Sequence, residues 1–430
     1  MYTICIDIYS SSLCVIITDK MKRLLKIVQR NPRPTASALR ASAAPPSSGF
    51  TFVDHSQGAS AAVSEFSAAL GTVLEQIDLD DDINSQMKVL TERLDQEASR
   101  YDNCQLNDVD YTDWSCSQEQ AELISVAWKC AHDSYNASSS SHPFQFENCI
   151  LTLDHVVTPS TSGTVKAVTF TIVTPKGCSN KLLPVLIIAI RGTASRVDHM
   201  VNINNEPRNA ASFINTSFQP ESASSLEAHS GFLESAVALD SIVSKRIEEY
   251  KQRGGHVLFT GHSAGGAVAS LLFLRYLSQQ NDSIRFSCLT FGAPPTITLP
   301  LSIPSKTICL NIINEFDLVT RADKPYMLSI LNLVRSIYNQ DPLSDTDECP
   351  SPTEASSKGT FWPTPRAMYH HVGEKIVFLM RLQDKSEDLQ LRAVNVSTAQ
   401  FEKLLFCRVS VHRRACYEQR VKLFARSNLQ

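Results

Sequence analysis

The sequence has no closely spaced pair of cysteines, no strong excess of one charge and no internal repeat. Its twelve cysteines are scattered from Cys5 to Cys416 without a C-x-x-C pair, which argues against a structural zinc site. The net charge is −4 and the pI is about 6.3, so we expect no nucleic-acid partner. An apolar fraction of 43% is ample for a globular core.

The N-terminus has few features of a targeting or membrane segment. Residues 1–26 are moderately apolar, but no basic region precedes the apolar part, and Asp7 and Asp19 flank it. The stretch is too short for a transmembrane helix and poor as a signal peptide. Its alternation from Tyr2 to Ile17 favours a strand. We therefore expect a cytoplasmic protein with reduced cysteines and with neither cofactor nor metal.

Changes in composition divide the chain into an N-terminal extension, residues 1–115, and one larger domain, residues 116–430. Residues 31–65 are rich in Pro, Ala and Ser, which predicts a linker. Residues 66–100 have apolar side chains at helical spacing, which predicts one or two amphipathic helices packed on the core. The extension is thus expected to be partly helical and partly disordered. Polar residues 340–366 predict a flexible surface insertion.

Strand and helix signals alternate along the larger domain. Strands are predicted at 150–157, 166–174, 183–190, 256–260, 286–291, 307–313 and 375–380, and helices at 119–135, 229–252, 264–280 and 325–338. The segment 183–190 is almost wholly apolar, as expected of a strand buried on both faces. The alternation predicts an α/β fold with a mostly parallel, doubly wound sheet and helices on both faces.

The clearest chemical signal is the sequence LFTGHSAGGAV at residues 258–268. Ser263 stands between a strand signal and a helix signal, in the pattern G-x-S-x-G. A nucleophilic serine needs a sharp, strained turn that exposes its hydroxyl, and small neighbours such as Gly261 and Gly265 relieve the crowding. The context therefore predicts Ser263 as a nucleophile, which must be activated by a base.

An acid that orients the base is expected at the end of a later strand. Asp317 follows the strand signal at 307–313 and is the preferred candidate. Glu315 and Asp323 are its nearby competitors.

Several stretches together resemble the fungal, or class 3, lipase family of α/β-hydrolases. They are Ala189–Ser195, His229–Phe232, Thr260–Gly266, Leu289–Pro294 and Asn314–Val319. The resemblance covers about residues 118–425. It implies an α/β-hydrolase fold, Ser263 as nucleophile and Asp317 as triad acid. It also implies an oxyanion hole formed by Thr193 and the backbone N–H of Ala264.

The histidine base has two candidates beyond Asp317. By the resemblance, the base is His412, which stands before the closing helix with Tyr417 shortly after it. His371, which runs directly into the strand at 375–380, is the alternative. His262 and His229 are expected to have structural roles, because the first adjoins the serine and the second precedes it in the chain.

The predicted reaction is hydrolysis of acyl esters, through an acyl-enzyme intermediate, with acylglycerols or related lipids as the first choice of substrate. A phospholipase or a small-ester or feruloyl esterase is the alternative within the same chemistry, and a non-catalytic lipase-like interaction protein is the alternative outside it. The expected partner is thus a lipid or other ester, with transient contact to a lipid surface. Residues 196–226, where a lid is expected, are polar, so strong activation at an oil surface is not expected.

Overall fold

A computed structural model provides the structure of the chain. It describes residues 55–76, 85–136, 144–146, 148–160, 165–177, 180–192, 206–215, 225–253, 255–279, 284–343, 360–382 and 389–428. The predicted N-terminal strand, the linker up to residue 54 and most of the polar insertion lie outside these ranges.

A sheet of ten strands forms the centre of the fold, in the order β1-β12-β11-β10-β9-β8-β5-β4-β3-β2. Its strands are β1 (Thr112–Asp113), β2 (Phe144–Phe146), β3 (Cys149–Val157), β4 (Val168–Pro175), β5 (Val185–Ile190), β8 (His256–His262), β9 (Arg285–Phe291), β10 (Cys309–Asn314), β11 (Glu374–Leu382) and β12 (Leu389–Val396). A separate antiparallel pair consists of β6 (Pro207–Asn209) and β7 (Glu227–His229).

The five central strands, β5 and β8 to β11, are parallel. Antiparallel strands extend the sheet on both sides. The carboxyl ends of the parallel strands meet at one edge of the sheet, and loops that follow several of them converge there. This edge contains the end of β8, which leads into Ser263, and the end of β10, which leads towards Asp317.

Helices cover both faces of the sheet. They are α1 (His55–Gln76), α2 (Ser85–Ala98), α3 (Gln118–Asp133), α4 (Ser230–Lys251), α5 (Ala264–Leu277), α6 (Lys324–Ile337), the short α7 (Thr398–Phe401) and α8 (Arg414–Asn428). On β5, Leu186, Ile188 and Ile190 pack in one cluster with α4 and α5. The alternate side chains of β5 pack in another cluster with α3 and α8. The predicted doubly wound α/β fold is therefore confirmed, and β5 is buried along its whole length.

Residues before 116 contribute to the same core. Phe66 of α1 and Leu94 of α2 pack against α6 in a cluster that also contains Leu318 and Leu405. The linker prediction is wrong for residues 55–65, which are helical. The last proline of that stretch is Pro46, so nothing after it prevents a helix from forming. Among the described residues, no helix is long and apolar enough to cross a membrane.

Candidate active site

Ser263 lies at a sharp turn between β8 and α5. Its φ is 57° and its ψ is −135°, a region that side-chain-bearing residues rarely adopt. Its N–H donates to the carbonyl of Phe291 at 2.9 Å, and its own carbonyl accepts from the N–H of Gly266 at 2.9 Å. The turn is thus fixed by backbone hydrogen bonds on both sides of the serine.

The turn requires glycine at three positions, because a side chain would not fit at any of them. A Cβ on Gly265 would overlap the carbonyl oxygen of Ile190, and one on Gly261 would overlap the backbone of Gly265. A Cβ on Gly266 would lie 2.9 Å from the Cβ of Ala293. The backbone of helix α5 therefore packs directly against the backbone at the ends of the central strands, with no side chain between them.

His412 lies between Ser263 and Asp317. Its Nε2 is 3.0 Å from Ser263 Oγ, and its Nδ1 is 2.8 Å from Asp317 Oδ2. Because an ionised carboxylate only accepts, Nδ1 is the protonated nitrogen and Nε2 accepts the serine proton. The histidine ends a short 3-10 turn, Ser410–His412, just before α8.

Asp317 is fully buried and has three donors. Besides His412, it accepts from the hydroxyl of Tyr417 at 2.7 Å and from the N–H of Val319 at 3.0 Å. The Tyr417 hydroxyl also accepts from the N–H of Asn314 at 3.1 Å. These bonds fix the side of the carboxylate that faces the histidine.

The competing acids point elsewhere. Glu315 is held by Arg381, whose guanidinium nitrogens lie 2.6 and 2.8 Å from the two carboxylate oxygens. Asp323 caps helix α6 through the N–H of Tyr326 and also accepts from the N–H of Met368. Burial raises the pKa of Asp323.

His262 supports the backbone of His412. Its Nε2 donates to the carbonyl of His412 at 3.1 Å, so its Nδ1 is the acceptor for the hydroxyl of Tyr135, also at 3.1 Å. The two imidazoles stack with centroids 4.7 Å apart. Burial, followed by the neighbouring His412, lowers the pKa of His262 well below its usual value, so it stays neutral.

Among the described contacts, His371 and His229 bind or pack against groups other than Ser263. The ring N–H of His371 donates to the carbonyl of Ala293 at 3.0 Å, and the ring packs edge-on against Phe401. His229 stacks on Phe232, with ring centroids 4.0 Å apart.

The oxyanion donors are described only in part. Ala264 is the first residue of α5, so its N–H has no acceptor within the helix. Thr193 lies outside the described residues, which stop at Gly192. Of the segment expected to hold a lid, residues 206–215, 225 and 226 are described, and their apolar side chains Phe213, Ile214 and Leu226 are buried.

A cavity of about 390 Å³ lies between α3 and α8, and Trp128, Glu122 and Val421 are among its lining residues. None of its lining residues is Ser263, Asp317 or His412. The cavity therefore does not border the three side chains of the candidate site.

Sequence reasoning missed one residue of the site. Tyr135 comes at the end of the helix signal at 119–135, and its partner His262 is 127 residues away, so no local pattern links the two. Arg414 also packs over the Tyr135 ring, 4.3 Å from its centroid.

Comparison with known proteins gives a family match and several remote structural likenesses. Residues 187–326, about a third of the chain, match the family model of lipase (class 3). No curated protein matches the chain.

The structural likenesses are to fungal lipases. The Lip2 lipase of Yarrowia lipolytica is 14% identical, with 72% of this chain and 92% of that chain covered and a TM-score of 0.42. The Rhizomucor miehei lipase propeptide complex is 16% identical, with 74% and 88% covered and a TM-score of 0.40. The triacylglycerol lipase of Penicillium expansum is 11% identical, with 61% and 81% covered and a TM-score of 0.35.

The matched segment contains both the turn at Ser263 and the loop of Asp317. Over residues 187–326 the chain is thus similar to the lipase (class 3) family, and this similarity supports a carboxylic ester hydrolase.

Proposed function

We propose that the chain hydrolyses acyl esters of lipids, with Ser263 as nucleophile, His412 as base and Asp317 as the acid that orients the base. The observation that supports this most directly is the continuous set of hydrogen bonds from Ser263 Oγ through the imidazole to the buried carboxylate. It has the connectivity that serine hydrolysis requires.

In the proposed reaction, Ser263 Oγ attacks the ester carbonyl carbon while His412 Nε2 takes its proton. The imidazolium that forms is stabilised by Asp317. The tetrahedral intermediate expels the alcohol, which takes the proton from Nε2, and an acyl-serine remains. Water, activated by the same nitrogen, then releases the carboxylic acid and restores Ser263.

The negative oxygen of the intermediate needs donors that are already in place. We assign this role to the N–H groups of Ala264 and Thr193. The first is supported by its position at the start of α5, where the helix dipole also favours negative charge. One such donor lowers the barrier by about 3 kcal/mol.

Acylglycerols are the proposed substrate class, on the strength of the match between residues 187–326 and the lipase family. The polar composition of residues 196–226 favours the expectation that the rate does not jump when substrate exceeds its solubility.

Hydrolysis of p-nitrophenyl esters from C2 to C16, together with fluorophosphonate labelling, tests the proposal. Ser263→Ala should abolish both readouts in a folded protein. Ser270→Ala is the matched control, because Ser270 is a buried serine of α5 that bonds only to the carbonyl of Ala267 among its described hydrogen bonds. Labelling of folded Ser263→Ala would show that another serine is the nucleophile, and an unreactive wild-type chain would favour the non-catalytic alternative.

A further inference from the structure

The loop that contains Asp317 is held by residues far outside the segment that matches the lipase family. We call residues 314–317 the acid loop and residues 95–106 the strap. The strap runs from the end of α2 towards β1 and precedes the matched segment by about eighty residues. Its contacts reach the acid loop at two points.

The first contact is made through Arg408. Its N–H donates to the carbonyl of Phe316 at 2.9 Å, and Arg408 pairs with Asp317 in a parallel β-bridge. Its guanidinium carbon lies 4.3 Å from the centroid of the Phe316 ring. Arg408 therefore contacts both the backbone and the side chain of the residue that precedes Asp317.

Phe316 needs such support because its backbone is strained. Its φ is 75°, in the left-handed region that favours glycine. A bulky residue keeps this conformation only where its surroundings enforce it. If Phe316 relaxed, the direction of the next side chain, Asp317, would change.

Asp95 of the strap fixes the guanidinium of Arg408. The Nε of Arg408 lies 2.9 and 3.1 Å from the two carboxylate oxygens of Asp95. Leu94, the residue before Asp95, packs in one cluster with Leu405 and with Leu318, the residue after Asp317. Helix α2, which contains Leu94 and Asp95, thus packs with the segment that leads to His412 and with the residue that follows the acid loop.

The second contact is made by Leu106. Its N–H donates to Glu315 Oε1 at 3.2 Å, and its carbonyl accepts from Arg381, which also binds Glu315. Glu315 is buried, so the strap meets the acid loop inside the protein at this point.

We propose that Asp95 and Arg408 form a positioning pair, by which the N-terminal strap holds the acid loop in the geometry that directs Asp317 towards His412. The inference rests on the proposed function of Ser263, His412 and Asp317. It makes Asp95, a residue of the N-terminal extension, a positioning residue for the triad, although it touches no reacting atom.

The test uses the full chain and a soluble p-nitrophenyl ester. Asp95→Ala should lower kcat about tenfold, with KM unchanged within about twofold, because the substrate site is intact and only the triad is misaligned. The rate of fluorophosphonate labelling should fall by the same factor. The side chains of Asp95 and Arg408 are 35% and 37% exposed, so the melting temperature should change by no more than about 4 °C.

Three further variants separate positioning from general stability. Glu97→Gln breaks an ion pair with Arg100 on the same segment and should leave kcat unchanged. Asp95→Glu keeps the carboxylate and should recover most of the lost kcat. The double variant Asp95→Ala/Arg408→Ala should be no slower than Arg408→Ala alone, because the two residues act as a unit.

The possible outcomes distinguish a failure of the positioning pair from a failure of the proposed function. Wild-type kcat in Asp95→Ala, a change confined to KM, or a loss that disappears once activity is divided by the folded fraction would overturn the positioning pair while leaving the proposed function intact. A wild-type chain that neither hydrolyses esters nor reacts with fluorophosphonate would overturn both.

Discussion

The Nε2 of His262 donates a hydrogen bond to the backbone carbonyl of His412 at 3.1 Å, although the two residues are 150 positions apart in the chain. The residue next to the proposed nucleophile therefore holds the backbone of the proposed base. A change at His262 can misplace His412 without touching its side chain.

His262→Asn should consequently lower kcat about tenfold and destabilise the fold by about 1–3 kcal/mol. His256→Asn is the matched control, since His256 is also buried in β8 and bonds to the Leu182 carbonyl and to Ser287. It should destabilise the protein similarly and leave kcat unchanged. Steady-state kinetics and urea unfolding of both variants make the comparison, and equal kcat in the two would contradict the supporting role of His262.

His412→Ala should reduce kcat/KM by about 10⁴-fold or more, as completely as Ser263→Ala, because members of a triad act as a unit. His371→Ala should lose stability rather than activity, since its ring bonds to the Ala293 carbonyl and packs on Phe401. Kinetics combined with a thermal melt of each variant separates the two effects. An inactive but folded His371→Ala beside an active His412→Ala would reassign the base.

Tyr417→Phe removes the hydroxyl that donates to Asp317 and accepts from the Asn314 N–H. We expect a fall in kcat of about three- to tenfold, together with about 1–3 kcal/mol of lost stability from the unpaired buried groups. Tyr276→Phe is the control, because its buried hydroxyl bonds to Asp240, away from the site. If both variants keep full kcat, the tyrosine serves only the fold.

The free energy of unfolding should fall as the pH is lowered below about 6.5, the usual histidine pKa in an unfolded chain. Burial lowers the pKa of His256 to about 4 and the pKa values of His262 and His371 well below 6.5. Between pH 6.5 and these lowered pKa values, the histidines of the unfolded chain are protonated and those of the folded chain are not. Each histidine therefore contributes stability that is present above pH 6.5 and is lost below it, by up to about 1.4 kcal/mol per pH unit.

Urea unfolding at pH 7.5, 6.5, 6 and 5 measures this dependence. His256→Asn removes one of the three groups and should reduce the slope between pH 6 and 5 by about 1 kcal/mol per pH unit. An unchanged slope would mean that His256 binds its proton equally in the folded and unfolded states.

The parts of the fold that local patterns encode were predictable. Apolar β5 and the glycines around Ser263 each leave a signal within a few residues, and the structure has the corresponding strand and turn there. Strand β12 was missed, although Gln390 and Arg392 alternate with apolar residues along it in the pattern of a half-buried strand. The two-residue strand β1, which pairs with β12, is too short to give any periodicity.

The supporting contacts of the candidate site were not predictable, for a different reason. They join residues whose separation in sequence exceeds any local pattern, such as Tyr135 with His262 and Asp95 with Arg408. The left-handed backbone of Phe316 was equally hidden, because phenylalanine is not a residue type that marks this conformation. The roles of Ser263, Asp317, His412, Ala264 and Thr193 remain predictions that the experiments above address.

The contact between the strap and Arg408 also has a consequence for biosynthesis. Asp95 and Arg408 are 313 residues apart, and a ribosome adds about 5–20 residues per second. The strap therefore leaves the ribosome many seconds before its partner exists, and its apolar residues must wait for residues 405–409 to cover them. Since His412 follows Arg408 by four residues, the nascent chain gains the partner of Asp95 and its proposed base within the same short interval of translation, and a chain released before residue 408 would lack both.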